Sequence, residues 1–185
     1  MHMAPQAHAS RSLAAEIAAT TGIHVARCYQ CGKCTAGCPM VPDMDFTPSQ
    51  ILRLVQLDRR ETVLAARTPW FCASCLTCTT RCPQEVEIAA LMDALRQRAL
   101  AAGKAPRAAR KVRAFAAAFL RGVERQGRLH EMSMAIDYKL HARDYLADLL
   151  LAPRMLAKGK LKPFARSIRG KAELRRLFAA TADRH

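Results

Sequence analysis

Apolar residues recur at helical spacing along most of the chain and predict a series of short α-helices. The first is expected from about Arg11 to Thr20, with Gly22 ending it because glycine tolerates the left-handed conformation past a helix end. A second begins where Thr47 can cap, Pro48 suits the first helical position and Gln50 completes a capping box. Its predicted apolar face consists of Ile51, Leu52, Leu54, Val55 and Leu57.

Further helices are predicted over residues 60–67, 86–102, 106–126, 129–151 and 172–180. The residue before a proline avoids helical geometry, so Thr68-Pro69 and Pro153 should end two of these helices. No alternating stretch is long enough for a strand. The predicted fold class is therefore all-α.

Charge divides the chain into two halves. Residues 1–98 hold 10 Lys/Arg and 8 Asp/Glu, a net charge of +2, whereas residues 99–185 hold 20 and 7, a net charge of +13. A basic segment suits an acidic partner surface, nucleic acid or an anionic membrane face, and charge alone does not choose among them. The first residues lack a signal-peptide core, and no stretch approaches the roughly 20 apolar residues that span a bilayer. We expect a cytoplasmic protein without an integral membrane segment.

All eight cysteines fall in one short stretch, and in a reducing cytoplasm they are expected to be metal ligands rather than disulfides. They form two copies of the pattern C-x₂-C-x₂-C-x₃-C-P, made by Cys28, Cys31, Cys34 and Cys38 and by Cys72, Cys75, Cys78 and Cys82. Three thiolates at this spacing let one loop hold three corners of a [4Fe–4S] cubane. In two-cluster ferredoxins the fourth cysteine ligates the other cluster.

By that rule, one cluster takes Cys28, Cys31, Cys34 and Cys82, and the other takes Cys72, Cys75, Cys78 and Cys38. Every iron then carries a cysteine, which predicts electron transfer and no catalysis by this chain alone. The rival metal is zinc, which usually takes its ligands as two separated pairs. The doubled spacing and both trailing prolines favour iron and sulfur.

Other side chains in and near the motifs have two interpretations. Lys33 and Arg81 can stabilise a reduced cluster by their charge or can be ordinary solvated cations. Trp70 and Tyr29 are expected to pack against their surroundings rather than to conduct electrons. No glycine-rich phosphate loop or nucleotide fingerprint is present, so neither flavin nor nicotinamide binding is expected.

The chain resembles the iron–sulfur C subunit of heterodisulfide reductase over about residues 20–100. The resemblance lies in both cysteine motifs, in Pro42-Asp43-x-Asp45-x-x-Pro48 and in Trp70-Phe71-Cys72-x-x-Cys75, and a weaker likeness continues through residues 149–163. It implies an α-helical ferredoxin domain with two [4Fe–4S] clusters, which we place at residues 1–103 because Gly103 can end the predicted helix over 86–102. Residues 104–185 would be a basic helical region for subunit docking. The resemblance also implies that the two clusters held by the eight cysteines pass electrons between a flavoprotein subunit and a catalytic subunit of the same complex.

Larger relatives of that family add a cytochrome b region or cysteine-rich CCG domains, and this chain has neither. We therefore expect it to act as one subunit of a complex. Its Ala- and Arg-rich composition favours the version found in sulfur-oxidising bacteria, where the resemblance implies oxidation of sulfur on a lipoate-carrying protein. In the methanogen version, electrons would run towards a disulfide.

Two alternatives to this function stay open. The same ferredoxin module serves as the iron–sulfur subunit of other dehydrogenases, such as glycolate-oxidase-like or fumarate-reductase-like assemblies. A cluster-bearing nucleic-acid binder would use the basic second half. Aromatic residues make up only 5% of the chain, which leaves few stacking side chains, so no nucleic-acid partner is expected.

Overall fold

The computed structural model describes residues 12–143, 151–159 and 167–182. These residues form helices and turns without a β-strand, as the all-α prediction requires. In chain order the helices are α1 (Leu13–Thr21), α2 (Lys33–Ala36), α3 (Pro48–Gln56), α4 (Arg60–Ala65), α5 (Thr68–Phe71), α6 (Thr77–Thr80), α7 (Ile88–Ala101), α8 (Ala109–Gln126), α9 (Glu131–Ala142), α10 (Leu151–Ala157) and α11 (Lys171–Ala182). The chain divides into two compact units, Met1–Ala109 and Arg110–His185.

The first two predicted helix starts are confirmed by their caps. Ser12 Oγ accepts the Ala15 N–H of α1 at 3.3 Å, and Gly22 ends that helix with φ at 73°. At α3, Thr47 Oγ1 accepts the Gln50 N–H at 3.4 Å, while Gln50 Oε1 accepts the Thr47 N–H at 2.8 Å. Both halves of the capping box are thus formed, so α3 begins where its sequence predicts.

The core of the first unit joins the apolar faces of α1, α3 and α7. Nine side chains of these three helices are at most 1% exposed: Leu13, Ile17, Ile51, Leu52, Val55, Ile88, Leu91, Met92 and Leu95. Burying a side chain of this size contributes about 1.5–3 kcal/mol. Leu57 was wrongly assigned to the apolar face of α3, because it lies at the C-cap and is 53% exposed.

Several predicted helix boundaries were wrong. Helix α4 ends at Ala65, before the predicted boundary, and Thr68 and Pro69 begin α5, where the missing N–H of proline needs no partner. Helix α8 starts at Ala109, three residues after Pro106. The predicted 129–151 helix ends at Ala142, because Arg143 adopts the left-handed conformation with φ at 55°. A separate α10 includes Pro153 in its first turn, and residues 144–150 lie outside the described residues.

The second unit pairs α8 with α9. The rings of Phe115 and Tyr138 meet edge to face with centroids 6.2 Å apart. Arg121 Nε donates to Asp137 Oδ2 at 2.8 Å, and this hydrogen bond lowers the pKa of Asp137. Across residues 12–143, 151–159 and 167–182, no helix combines the length and the apolar character that a membrane crossing needs.

Candidate iron–sulfur centres

The two cysteine loops share one backbone conformation. Gln30 and Gly32 of the first loop have left-handed φ values of 66° and 76°, and Ser74 and Leu76 at the matching positions have 51° and 63°. In each loop the third cysteine enters a four-residue helix, α2 or α6, and these two helices pack together. The repeat in sequence is therefore also a repeat in structure.

Leu76 occupies a position that Gly32 fills in the other loop. A left-handed conformation costs a non-glycine residue about 1–2 kcal/mol. Leu76 accepts this conformation although its side chain is 57% exposed, so little burial offsets the strain.

Each cavity beside the loops is lined by four cysteines drawn from both motifs. The first site, as we call it, has Cys28, Cys31, Cys34 and Cys82 around one cavity. The second site has Cys72, Cys75, Cys78 and Cys38 around another. The structure thus brings together the same two groups that the sequence rule predicts as ligand sets. The assignment of individual thiols to irons stays a prediction.

The core and helix α3 form the walls of both sites. Ile88, which is 1% exposed, lines both cavities. From α3, Pro48 lines the second site, while Ser49 and Leu52 line the first. Gln56 Nε2 donates to the carbonyl oxygens of Val25 and Cys28, at 3.1 and 2.8 Å. These two hydrogen bonds from Gln56 fix the start of the first loop to α3. The sequence did not predict them, because no local pattern marks them.

Asp45 joins the end of the first motif to the approach of the second. Its Oδ2 accepts the Arg67 N–H at 2.8 Å, and its Oδ1 accepts the N–H and the hydroxyl of Thr68 at 2.9 and 2.7 Å. Partial burial raises the pKa of Asp45, but these hydrogen bonds outweigh burial and hold the pKa below its ordinary value. The carboxylate thereby anchors α5, which leads directly into Cys72.

The thiols differ in how readily they ionise. Burial raises the pKa of Cys34 and of Cys78, and hydrogen bonds from Thr35 and Thr79 oppose part of each rise. A hydrogen bond with Thr77 lowers the pKa of Cys75. Iron binding must displace the remaining protons, since the thiolate is the ligand. Among the described residues, no three His, Cys, Asp or Glu side chains converge around a point suited to one metal ion. The four thiols of a cubane need no such point, because each binds a different iron.

Arg81 lies across the boundary between the two motifs. A β-carbon on Gly37 would sit 2.5 Å from Arg81 Nη1 and 3.1 Å from Arg81 Cδ. Gly37 and Arg81 each precede the fourth cysteine of a motif, so the repeat leaves room for one long side chain here. Lys33 lines the first site from an exposed position.

The two aromatic residues near the motifs behave differently. Trp70 is 5% exposed and packs with Leu64 and Ala99, as expected. The expectation that Tyr29 packs was wrong, since it is 59% exposed beside the first loop.

The chemistry of both sites fits iron–sulfur clusters. Four soft thiols surround each cavity, and this donor type suits iron–sulfur cubanes. Residues 24–86 match the family of 4Fe-4S dicluster domains. The fold and its sites define a helical iron–sulfur protein that binds two [4Fe–4S] clusters.

Among curated proteins, the chain is similar to the C subunits of heterodisulfide reductases. It is 33% identical over 105 residues to the iron-sulfur C2 subunit of the CoB–CoM heterodisulfide reductase of Methanocaldococcus jannaschii, covering 57% of this chain and 56% of that one. It is 36% identical over 93 residues to the corresponding iron-sulfur C subunit of Methanopyrus kandleri, covering 50% and 48%. It is 39% identical over 77 residues to the C subunit of the ferredoxin:CoB-CoM heterodisulfide reductase of Methanosarcina acetivorans, covering 42% and 31%. The match thus spans from about a third to just over half of each relative's length.

Proposed function

We propose that this chain is the electron-transfer subunit of a heterodisulfide-reductase-like complex. One cluster is held by Cys28, Cys31, Cys34 and Cys82, and the other by Cys72, Cys75, Cys78 and Cys38. The clusters would supply one-electron chemistry, and the chain's cysteines would hold them with no iron left open to a substrate.

The observation that carries the proposal is the composition of the two cavities. Each has four cysteines, three from one motif and one from the other. Four thiolates saturate the four irons of a cubane, which leaves no position for a substrate to bind. Such a site suits the passage of electrons and leaves bond-breaking to another protein.

The proposed partners are a flavin-containing subunit and a catalytic subunit with CCG-type domains, acting in sulfur or disulfide metabolism. Supporting this, the relatives named above are subunits of heterodisulfide reductases. The second unit, Arg110–His185, carries 18 Lys/Arg against 7 Asp/Glu and suits an acidic partner surface.

Paired cysteine variants test the ligand sets. After anaerobic reconstitution, Cys38→Ala and Cys72→Ala should each spare the cluster of the first site and leave the same residual EPR spectrum. Cys82→Ala and Cys34→Ala should share the other spectrum. If Cys38→Ala instead matches Cys34→Ala, each motif holds its own cluster and the exchange is wrong.

Co-purification tests the role in a complex. The chain is co-expressed with the proteins encoded beside its gene and purified at low and at raised salt. We expect a stoichiometric complex that contains a flavoprotein and that weakens as salt rises. A chain that loads both clusters but joins none of these proteins would overturn membership of a complex.

A further inference from the structure

We propose that the two sites are built unequal, so that the cluster of the first site has the higher reduction potential and holds a single electron shared by the pair. The inference rests on the ligand sets given under the proposed function. The two motifs share one scaffold, so differences between matched positions are what distinguish the two sites.

The thiols of the two sites differ in exposure at one matched position. Cys31 and Cys75, the second cysteines, are both exposed, and the first and fourth cysteines of both motifs are half-buried, but the third cysteine is buried at Cys34 and half-buried at Cys78. Thr35 and Thr79 follow the third cysteines and interact with them alike. The burial of Cys34 by itself lowers the potential of the first site, so the ranking rests on hydrogen bonds and charges.

The middle of the loop gives the first site two polar groups that the second lacks. Gln30 Nε2 donates to Cys28 Sγ at 3.4 Å. The matching Ser74 instead accepts a hydrogen bond from Arg96 Nη2 at 3.3 Å. Tyr29 places its hydroxyl near Cys31, and the matching residue is Ala73.

The fourth cysteines differ in their backbone partners. The Val86 N–H donates to Cys82 Sγ at 3.4 Å, and the preceding Glu85 adopts the left-handed conformation with φ at 53°. The residue four positions after Cys38 is Pro42, which has no N–H to donate. Within the described residues, neither Cys38 nor Cys72 receives a hydrogen bond on sulfur.

The walls of the cavities differ in the same direction. Lys33 and Ser49 line the first site, whereas Met40, Met44 and Met92 line the second. Besides Thr79, the second site has Thr77 as a neutral side-chain partner, whose Oγ1 lies 3.4 Å from Cys75 Sγ. Thr77 occupies the position that Lys33 has in the first loop.

The remaining charges do not reverse this ranking. Two carboxylates follow each fourth cysteine, Asp43 and Asp45 after one and Glu85 and Glu87 after the other. Arg81 adjoins a ligand of the first site, and its guanidinium reaches Gly37, which adjoins a ligand of the second. Hydrogen bonds to sulfur and nearby positive charge stabilise the more negative, reduced cluster and so raise its potential. Hydrogen bonds to sulfur favour the first site. The Arg96 guanidinium beside the second loop is offset by its ion pair with Asp93 at 3.3 Å, whereas Lys33 lines the first site.

Potentiometric EPR on the reconstituted full-length chain tests this ranking. Wild type should contain about eight irons per chain and show two resolved potentials. Gln30→Leu should lower only the higher potential, with at least a threefold change in the electron-exchange constant between the clusters. That is about 28 mV, at about 59 mV per tenfold for one electron. Ser74→Ala is the matched control and should leave the higher potential in place.

Each result of these potential measurements supports or refutes the ranking of the two sites. If Gln30→Leu moves the lower potential or neither, or if Ser74→Ala moves the higher one, the ranking is wrong. Should Gln30→Leu fail to load iron, Tyr29→Phe is measured in its place with the same expected direction. A wild-type chain with fewer than two clusters would instead refute the proposed function, so the two failures are distinguishable.

Discussion

Replacing Asp45 with asparagine tests whether the link between the two motifs holds the cluster domain together. The carboxylate accepts hydrogen bonds from the Arg67 N–H and from the N–H and hydroxyl of Thr68. Asparagine is nearly the same size, but it has one acceptor oxygen and no charge. The asparagine oxygen can still accept the hydrogen bonds from Thr68. Its NH₂ group then faces the Arg67 N–H, and because both groups are donors no hydrogen bond forms there.

The loss amounts to one charge-assisted hydrogen bond and the charge assistance of the other three, since Oδ1 also accepts the Phe46 N–H at 3.1 Å. A hydrogen bond to a charged group contributes about 1.5–3 kcal/mol. Arg67 is exposed and water can replace part of that bond, so we expect Asp45→Asn to destabilise the segment by about 2 kcal/mol. Because 1.4 kcal/mol corresponds to about tenfold, opening of the segment should become about 30-fold more frequent.

The rate of cluster loss reports this opening. The loaded chain is placed in moderate urea with an iron chelator, and the cluster absorbance is followed with time. When opening is a fast pre-equilibrium, the loss rate follows the open population, so Asp45→Asn should lose its clusters about 30-fold faster. Asp43→Asn is the control, because Asp43 makes no side-chain hydrogen bond within the described residues.

The difference in cluster-loss rate between wild type and Asp45→Asn depends on pH with a definite sign. The folded-state pKa of Asp45 lies below its ordinary value, so its contribution is complete above that value and is lost only as pH falls through the folded pKa. The ratio of the cluster-loss rates of Asp45→Asn and wild type should therefore be constant between about pH 6 and 8. Equal loss rates for Asp45→Asn and Asp43→Asn would refute the assigned role of Asp45.

Three further changes test other features of the sites. Gly32→Ala meets open space but forces a left-handed alanine, so the free energy of unfolding, measured by urea titration, should fall by about 1 kcal/mol. Leu76→Gly should leave that free energy unchanged or raise it. A stabilising Gly32→Ala or a destabilising Leu76→Gly would disprove the strain assigned to these positions. Gly37→Ala should displace the Arg81 guanidinium and lower both cluster potentials. The double variant Gly37→Ala with Arg81→Gln should lower them no further than Arg81→Gln alone. Additive shifts would show that Gly37 does not act through Arg81. Gln56→Leu removes the hydrogen bonds to the Val25 and Cys28 carbonyl oxygens, so the first site should lose iron faster than the second, seen as selective decay of one EPR signal; equal decay would contradict this.

Local signals predicted much of the first unit. The capping box at Thr47 and Gln50 and the left-handed Gly22 depend on neighbouring residues, so the sequence determines them directly. Contacts between distant residues had no such signal. The bonds from Asp45 to Thr68 and from Gln56 to Cys28 depend on tertiary placement, as does the strained conformation of Leu76.

The helix boundaries show where proline rules are too coarse. Pro69 and Pro153 were expected to end helices, yet each lies in the first turn of one. Proline is excluded only from positions where its N–H and ring would meet a preceding helical turn. The end of α9 at Arg143 carries no glycine or proline, so composition could not indicate it.

The crossed composition of the two cavities has a consequence for how the protein is made. Each cavity takes its fourth cysteine from the other motif, and Cys82 completes the site that begins with Cys28. A nascent chain that has emerged only through the first motif offers neither a complete first site nor a complete second one. Under the proposed ligand sets, metallation must wait until both motifs have left the ribosome and folded against each other. Chains terminated before the second motif would then carry no intact cluster that could release iron.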